Sequence, residues 1–84
     1  YKRQGMDKHE FEQFVTEHGK DILRFCRMNA GSTERGNELY QDTMVKLLEK
    51  QKKLDAAQNI KSYAMQTAIL LWKARKIRRR NRHF

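Results

Sequence analysis

Apolar residues in this chain recur three and four positions apart, and they nowhere alternate with polar ones over the length of a strand. That spacing lines them up along one side of a helix. With no proline in 84 residues, nothing forces a break inside a helix. The expectation is therefore an all-α fold of three helical segments, without an internal repeat. The first segment runs from about residue 7 to residue 29. Asp7 caps it, Glu10 completes a capping-box spacing, and Met6 is placed to staple over Phe11. Phe11, Phe14, Val15, Ile22, Phe25 and Cys26 share its apolar face with His18, and Asn29-Ala30-Gly31 reads as its stop.

Ser32 or Thr33 caps a second helix reaching about Lys50, with Leu39, Tyr40, Thr43, Met44, Leu47 and Leu48 turned inward. On its opposite side, at roughly 100° per residue, Glu38, Asp42, Val45 and Glu49 fall together. Such a stripe repels DNA; it is either a solvated face or a dock for a basic helix. Residues 51–59 break the periodicity and read as a polar loop. Asn59 is placed to cap a third helix, with Ile60, Tyr63, Ala64, Thr67, Leu71 and Ala74 facing the core. Its other side carries Met65, Ile69 and Trp72 in line with Lys73, Lys76 and Arg80. A helix apolar on two faces is sandwiched in a core or, where bases join the second face, presents an aromatic and basic surface.

Charge is unevenly placed. Of a formal +9, seven bases and no acid lie in residues 71–84, and the rest of the chain is close to balanced. A basic end on a nearly neutral body is the layout of a nucleic-acid binder, the alternatives being a solvated tail or a membrane-surface patch. The longest apolar run, residues 68–72, is far too short to span a membrane. A lone cysteine excludes a disulfide scaffold and fits a reducing compartment, so the expected location is the cytoplasm. The length suits one domain, residues 1–84, with a leader at 1–6 and a basic tail at 78–84. A numbering that opens on Tyr1 is expected of a piece of a longer protein.

No catalytic chemistry is legible. His9, His18 and His83 share no ligand spacing, Cys26 has no partner, and Gly5, Gly19, Gly31 and Gly36 are too scattered for a phosphate loop. The expectation is a protein that is not an enzyme and that uses no metal or cofactor. Nucleic-acid chemistry is legible. Trp72 among Lys73, Arg75 and Lys76 suits single strands, which are gripped by cations on phosphates and aromatics on bases. Arg78, Arg79 and Arg80 suit a duplex backbone. Periodicity alone makes Trp72 equally a core anchor.

The run Glu38-Leu39-Tyr40-Gln41-Asp42-Thr43-Met44-Val45-Lys46-Leu47-Leu48 is similar to the acidic-Leu-x-Gln-Asp-Thr-Phe-x-x-Leu signature of region 2 of bacterial sigma-70 factors, above all the extracytoplasmic-function type. Residues 11–26 resemble the first helix of that region, and residues 59–82 its third and fourth subregions, so the likeness covers about 8–82. It implies a three- to four-helix bundle of the region 2 type that helps RNA polymerase initiate transcription. Glu38, Leu39, Gln41 and Asp42 would dock on the clamp helices of the largest polymerase subunit, and the helical wheel adds Val45 and Glu49. The loop and start of the last helix, with Asp55, Gln58, Asn59 and Lys61, would capture an unpaired base of the non-template −10 strand, with Tyr63 nearby. Trp72, Lys73, Lys76, Arg78, Arg79 and Arg80 would hold promoter DNA. Departures are Met44 in place of an aromatic, Ile69-Leu70 in place of a common Arg-Asn, and Ala74 in place of an acid; the apolar trio favours burial. The other readings are a generic basic helical DNA- or RNA-binding module, and a sigma-like interaction domain bound by an anti-sigma factor.

Overall fold

Helix α1, Lys8–Ala30, opens on a closed capping box: the Glu10 amide donates to Asp7 Oδ1 (2.8 Å) and the Asp7 amide to Glu10 Oε1 (3.1 Å). Two amides that a helix start leaves unpaired are thereby satisfied. The computed structural model describes residues 6–54 and 59–81, with side chains as far as Arg75. α1 ends at Gly31, whose φ of 79° turns the chain while its amide donates to the Arg27 carbonyl (3.0 Å). A side chain would strain that left-handed backbone, so glycine suits the position. Ser32 follows at once and caps α2, Thr33–Glu49, by accepting from the Arg35 amide (3.2 Å). So short a link makes α1 and α2 an antiparallel hairpin.

The hairpin closes tightly at Gly36. A Cβ built there would stand 2.4 Å from Arg27 Cα, a backbone atom that cannot swing aside. Gly36→Ala is therefore expected to lower unfolding stability by about 1–3 kcal/mol, although alanine favours a free helix by roughly 1 kcal/mol. A urea melt that shows stabilisation instead would mean that the helices can part without loss.

After α2 the chain makes a 3-10 turn, Gln51–Lys53. Met6 is tied to this turn twice: its amide donates to the Gln51 carbonyl (3.1 Å), and Gln51 Nε2 donates to the Met6 carbonyl (3.2 Å). Leu54 is buried here, so the expected polar loop contains one core residue. Helix α3, Ile60–Asn81, begins at Asn59, whose Oδ1 accepts from the Ser62 amide (3.1 Å). It packs on both other helices.

The core gathers Phe11, Phe14, Ile22 and Cys26 of α1, Leu39 and Leu47 of α2, and Ile60, Ala64, Ala68 and Trp72 of α3. Thr43 is fully buried, yet its hydroxyl donates to the Leu39 carbonyl (2.8 Å), which satisfies it within its own helix. Burial pushes the Cys26 thiol up from its ordinary value, as for a packing residue rather than a nucleophile.

The inward line of α3 differs from the expected one. Every fourth residue from Ile60 to Trp72 is buried, which brings in Ala68 and Trp72, while Ala74 is exposed and Tyr63, Thr67 and Leu71 are half-buried. The small side chains of Ala64 and Ala68 let α3 approach closely, and rows spaced by four are one of the ridges along which helices pack. Reading the wheel by its large residues missed that. Ile69 is half-buried, but Leu70 is 66% exposed, so the apolar trio of this helix is not a buried set. Leu48, expected inside, is 53% exposed. The inward row of α2 is Gly36, Leu39, Thr43 and Leu47, and Leu48 lies a further 100° or so round the helix, beyond the cover of two neighbours.

Candidate functional site

The outward face of α2 carries Glu38, Gln41, Asp42, Val45, Leu48 and Glu49, all exposed. Gln41, Val45 and Leu48 follow one another at helical spacing, which puts two exposed apolar side chains in a line beside the acids. Leu48 was missed as a surface residue because its size and apolarity argue for the core. Leu39 corrects the docking set in the other direction. It is fully buried, so it supports this face from within and cannot touch a partner.

Glu38 and Asp42, four apart, stand one turn above the other. The Arg75 guanidinium of α3 reaches across to both, with Nη1 3.4 Å from Glu38 Oε2 and Nη2 on Asp42 Oδ2. Glu49 lies 3.7 Å from Lys46 of the same helix. The sequence offered a hint of the fork, in carboxylates spaced for one planar cation. Which base fills it depends on how α3 crosses α2.

Around the start of α3 the expected DNA-binding residues divide between two sides. Lys61 turns towards α1 and donates to Asp21 Oδ2 (2.9 Å). It lines a cleft of about 340 Å3 with Glu10, Glu17, His18 and Asn59. The Phe14 and His18 rings meet there at 5.4 Å. Hydrogen bonding and charge from Lys61 hold the Asp21 carboxyl below its ordinary value. A lowered carboxylate pKa gives stability that is present above the unfolded value and lost as pH falls through the folded one. Asp21→Asn is thus expected to melt below the parent at neutral pH, and the gap should close under acid below about pH 4. A gap unchanged by acid, in melting scans against pH, would show that the pair contributes nothing.

Tyr63 turns to the other side. It lines a groove of about 460 Å3 between the end of α2 and α3, with Lys46, Lys50, Gln66, Thr67, Leu70 and Leu71. Lys50 Nζ stands 6.0 Å from the Tyr63 ring centre, at the limit of a cation–π contact. None of these lining residues is acidic, whereas the α1 cleft holds two glutamates.

Trp72 is 8% exposed and belongs to the core, so of its two readings the packing anchor is the one observed. Lys73 is exposed. Lys76, Arg78, Arg79 and Arg80 lie on the backbone of α3, and their side chains fall outside those described, as do Asp55 and Gln58 altogether. Among the described residues no helix is long and apolar enough to cross a membrane.

Comparison with known proteins gives one family. The model of sigma-70 region 2 matches residues 14–83, which takes in most of α1 and all of α2 and α3. Neither the curated proteins nor the solved structures yield a match. Three helices, an acid-fronted α2 and a base-rich α3 agree with that match over most of the chain, and this protein belongs to the sigma-70 region 2 family, whose domains are transcription factors that bind RNA polymerase and recognise the −10 promoter element.

Proposed function

We propose that this domain is of the extracytoplasmic-function type, working in the cytoplasm. Its outward α2 face docks on the polymerase clamp helices, and the groove between α2 and α3 takes the non-template −10 strand. The observation that carries this reading is the separation of charge between adjoining faces. Glu38, Asp42 and Glu49 flank exposed Val45 and Leu48 on one side, and Lys46, Lys50 and Tyr63 line a groove on the next whose described lining residues include no acid. Carboxylates around a small apolar patch suit a basic helix, because charge orients the approach and desolvated side chains hold the contact. A groove with cations at its rim and an aromatic ring in its wall suits a polyanionic strand with unpaired bases.

In this reading Tyr63 stands at the captured base, with Asp55 and Gln58 of the preceding segment as further candidates, while Asn59 lies with Lys61 on the α1 side of the helix start. Lys73, Lys76, Arg78, Arg79 and Arg80 hold phosphates further along. Lys61 joins them only on leaving Asp21. Flipping a base out of the duplex costs a few kcal/mol. Stacking, at about 1–3 kcal/mol per base, and phosphate contacts offset that cost, so binding energy alone drives strand separation. The polymerase makes the RNA.

The test is affinity for a single-stranded non-template −10 oligonucleotide against a scrambled strand of the same length, with the clamp fragment present. Preference for the promoter strand, weakened by Tyr63→Ala, is the expected result. Equal affinities that respond only to salt would make the domain a generic basic binder.

A further inference from the structure

Glu38, Asp42 and Glu49 on the outward face of α2 are each already paired inside the domain. Glu49 has Lys46, and Glu38 and Asp42 share Arg75. Arg75 is the more enclosed party to that fork, its side chain 25% exposed against 67% for Glu38 and 49% for Asp42. It also stands three residues after Trp72, which anchors α3 in the core, so the guanidinium is delivered from a fixed base. The face read above as a dock for a basic helix is therefore partly neutralised by the chain's own cations, and at Glu38 and Asp42 one guanidinium already sits where a partner's cation would.

Resting on that docking reading, we infer that Arg75 is an internal competitor for the polymerase. The partner's cations use Glu38 and Asp42 only by displacing Arg75, because two cations over the same carboxylates repel at close range. The displaced guanidinium stays on α3, the helix that carries the basic run. Docking thus adds a free positive charge to the DNA-binding element. The coupling is reciprocal: DNA that holds Arg75 uncovers the carboxylates and favours docking.

The experiment uses the 84-residue chain and a clamp-helix fragment. Arg75→Gln and Arg75→Ala, checked for folding by thermal melts, are expected to bind the fragment roughly fivefold tighter than the parent at low salt, the scale of an exposed ion pair. The gain should vanish as salt rises. Affinity equal to or below the parent's would overturn the competitor role. Should both variants unfold, the parent answers: on saturation with fragment its Arg75 Nε–H resonance should move to the position of an unpaired guanidinium, and a stationary signal overturns the inference.

A parent that fails to bind the fragment, or binds it regardless of Glu38→Arg with Asp42→Arg, removes the docking reading and this one with it. A parent that binds while the Arg75 variants gain nothing removes this one alone. A further arm needs no clamp. Glu38→Gln with Asp42→Asn should bind single-stranded DNA tighter than Glu12→Gln with Glu17→Gln, which changes net charge equally, and its salt slope should be steeper by about 0.7. Equal slopes would mean that the released cation does not reach DNA.

Discussion

Reversing two charges on α2, with Glu38→Arg and Asp42→Arg together, is expected to weaken binding to the polymerase clamp helices by about 100-fold or more while the domain stays folded. Both side chains are exposed, so neither contributes packing that the change would remove. The substitution turns an attractive face into one that places like charges against a basic helix, and each such juxtaposition costs several kcal/mol. Arg75 also loses its two partners and would face two new arginines. That costs the free domain little, since exposed ion pairs are worth about 0–1 kcal/mol each. Circular dichroism should therefore report unchanged helicity and a small shift in melting. Parental affinity in the double variant would remove α2 from the docking account.

The second large effect concerns Trp72. Truncation to alanine is expected to destabilise the domain by about 3–5 kcal/mol, the cost of emptying a buried aromatic site. For a domain whose whole stability is about 5–15 kcal/mol, that leaves much of the protein unfolded on warming. Trp72→Phe keeps most of the packing and should hold both the fold and the affinity for single-stranded DNA. If Trp72→Ala were as stable as the parent but bound DNA weakly, the indole would be a stacking platform and its burial would have been misread. The two outcomes separate cleanly because one moves the melting curve and the other the binding isotherm.

The helices were legible from the sequence because their determinants are local. The Asp7–Glu10 box, the Gly31 stop and the Ser32 and Asn59 caps each depend on a few neighbouring residues, and each forms as its spacing implies. Burial was legible where large apolar residues share a face, as Phe11, Phe14, Ile22 and Cys26 do. It failed where the approach of a second helix decides the matter. Ala68 is buried because small residues allow close contact, and Leu48 is exposed because no described element covers it. Gly36 shows the same limit, since its need for a missing side chain comes from Arg27 on the neighbouring helix.

The site divides along the same line. That Glu38, Asp42, Val45 and Glu49 share a face followed from helical geometry alone. That Leu39 lies behind that face follows equally from its place on the inward arc of the wheel, which outranks a docking role carried over from a signature. The opposite turns of Lys61 and Tyr63 depend on where α1 and α2 sit around the start of α3, as does the claim of Arg75 on two carboxylates. No single helix encodes these relations.

The most direct check of the central claim is a map of backbone amide shifts while the isotopically labelled domain is titrated with the clamp-helix fragment. The account predicts that the perturbed amides cluster along the exposed side of α2, at Glu38, Gln41, Asp42, Val45 and Leu48, with a secondary response at Arg75. Shifts confined to α1 or to the groove beside Tyr63, with that side of α2 silent, would contradict it.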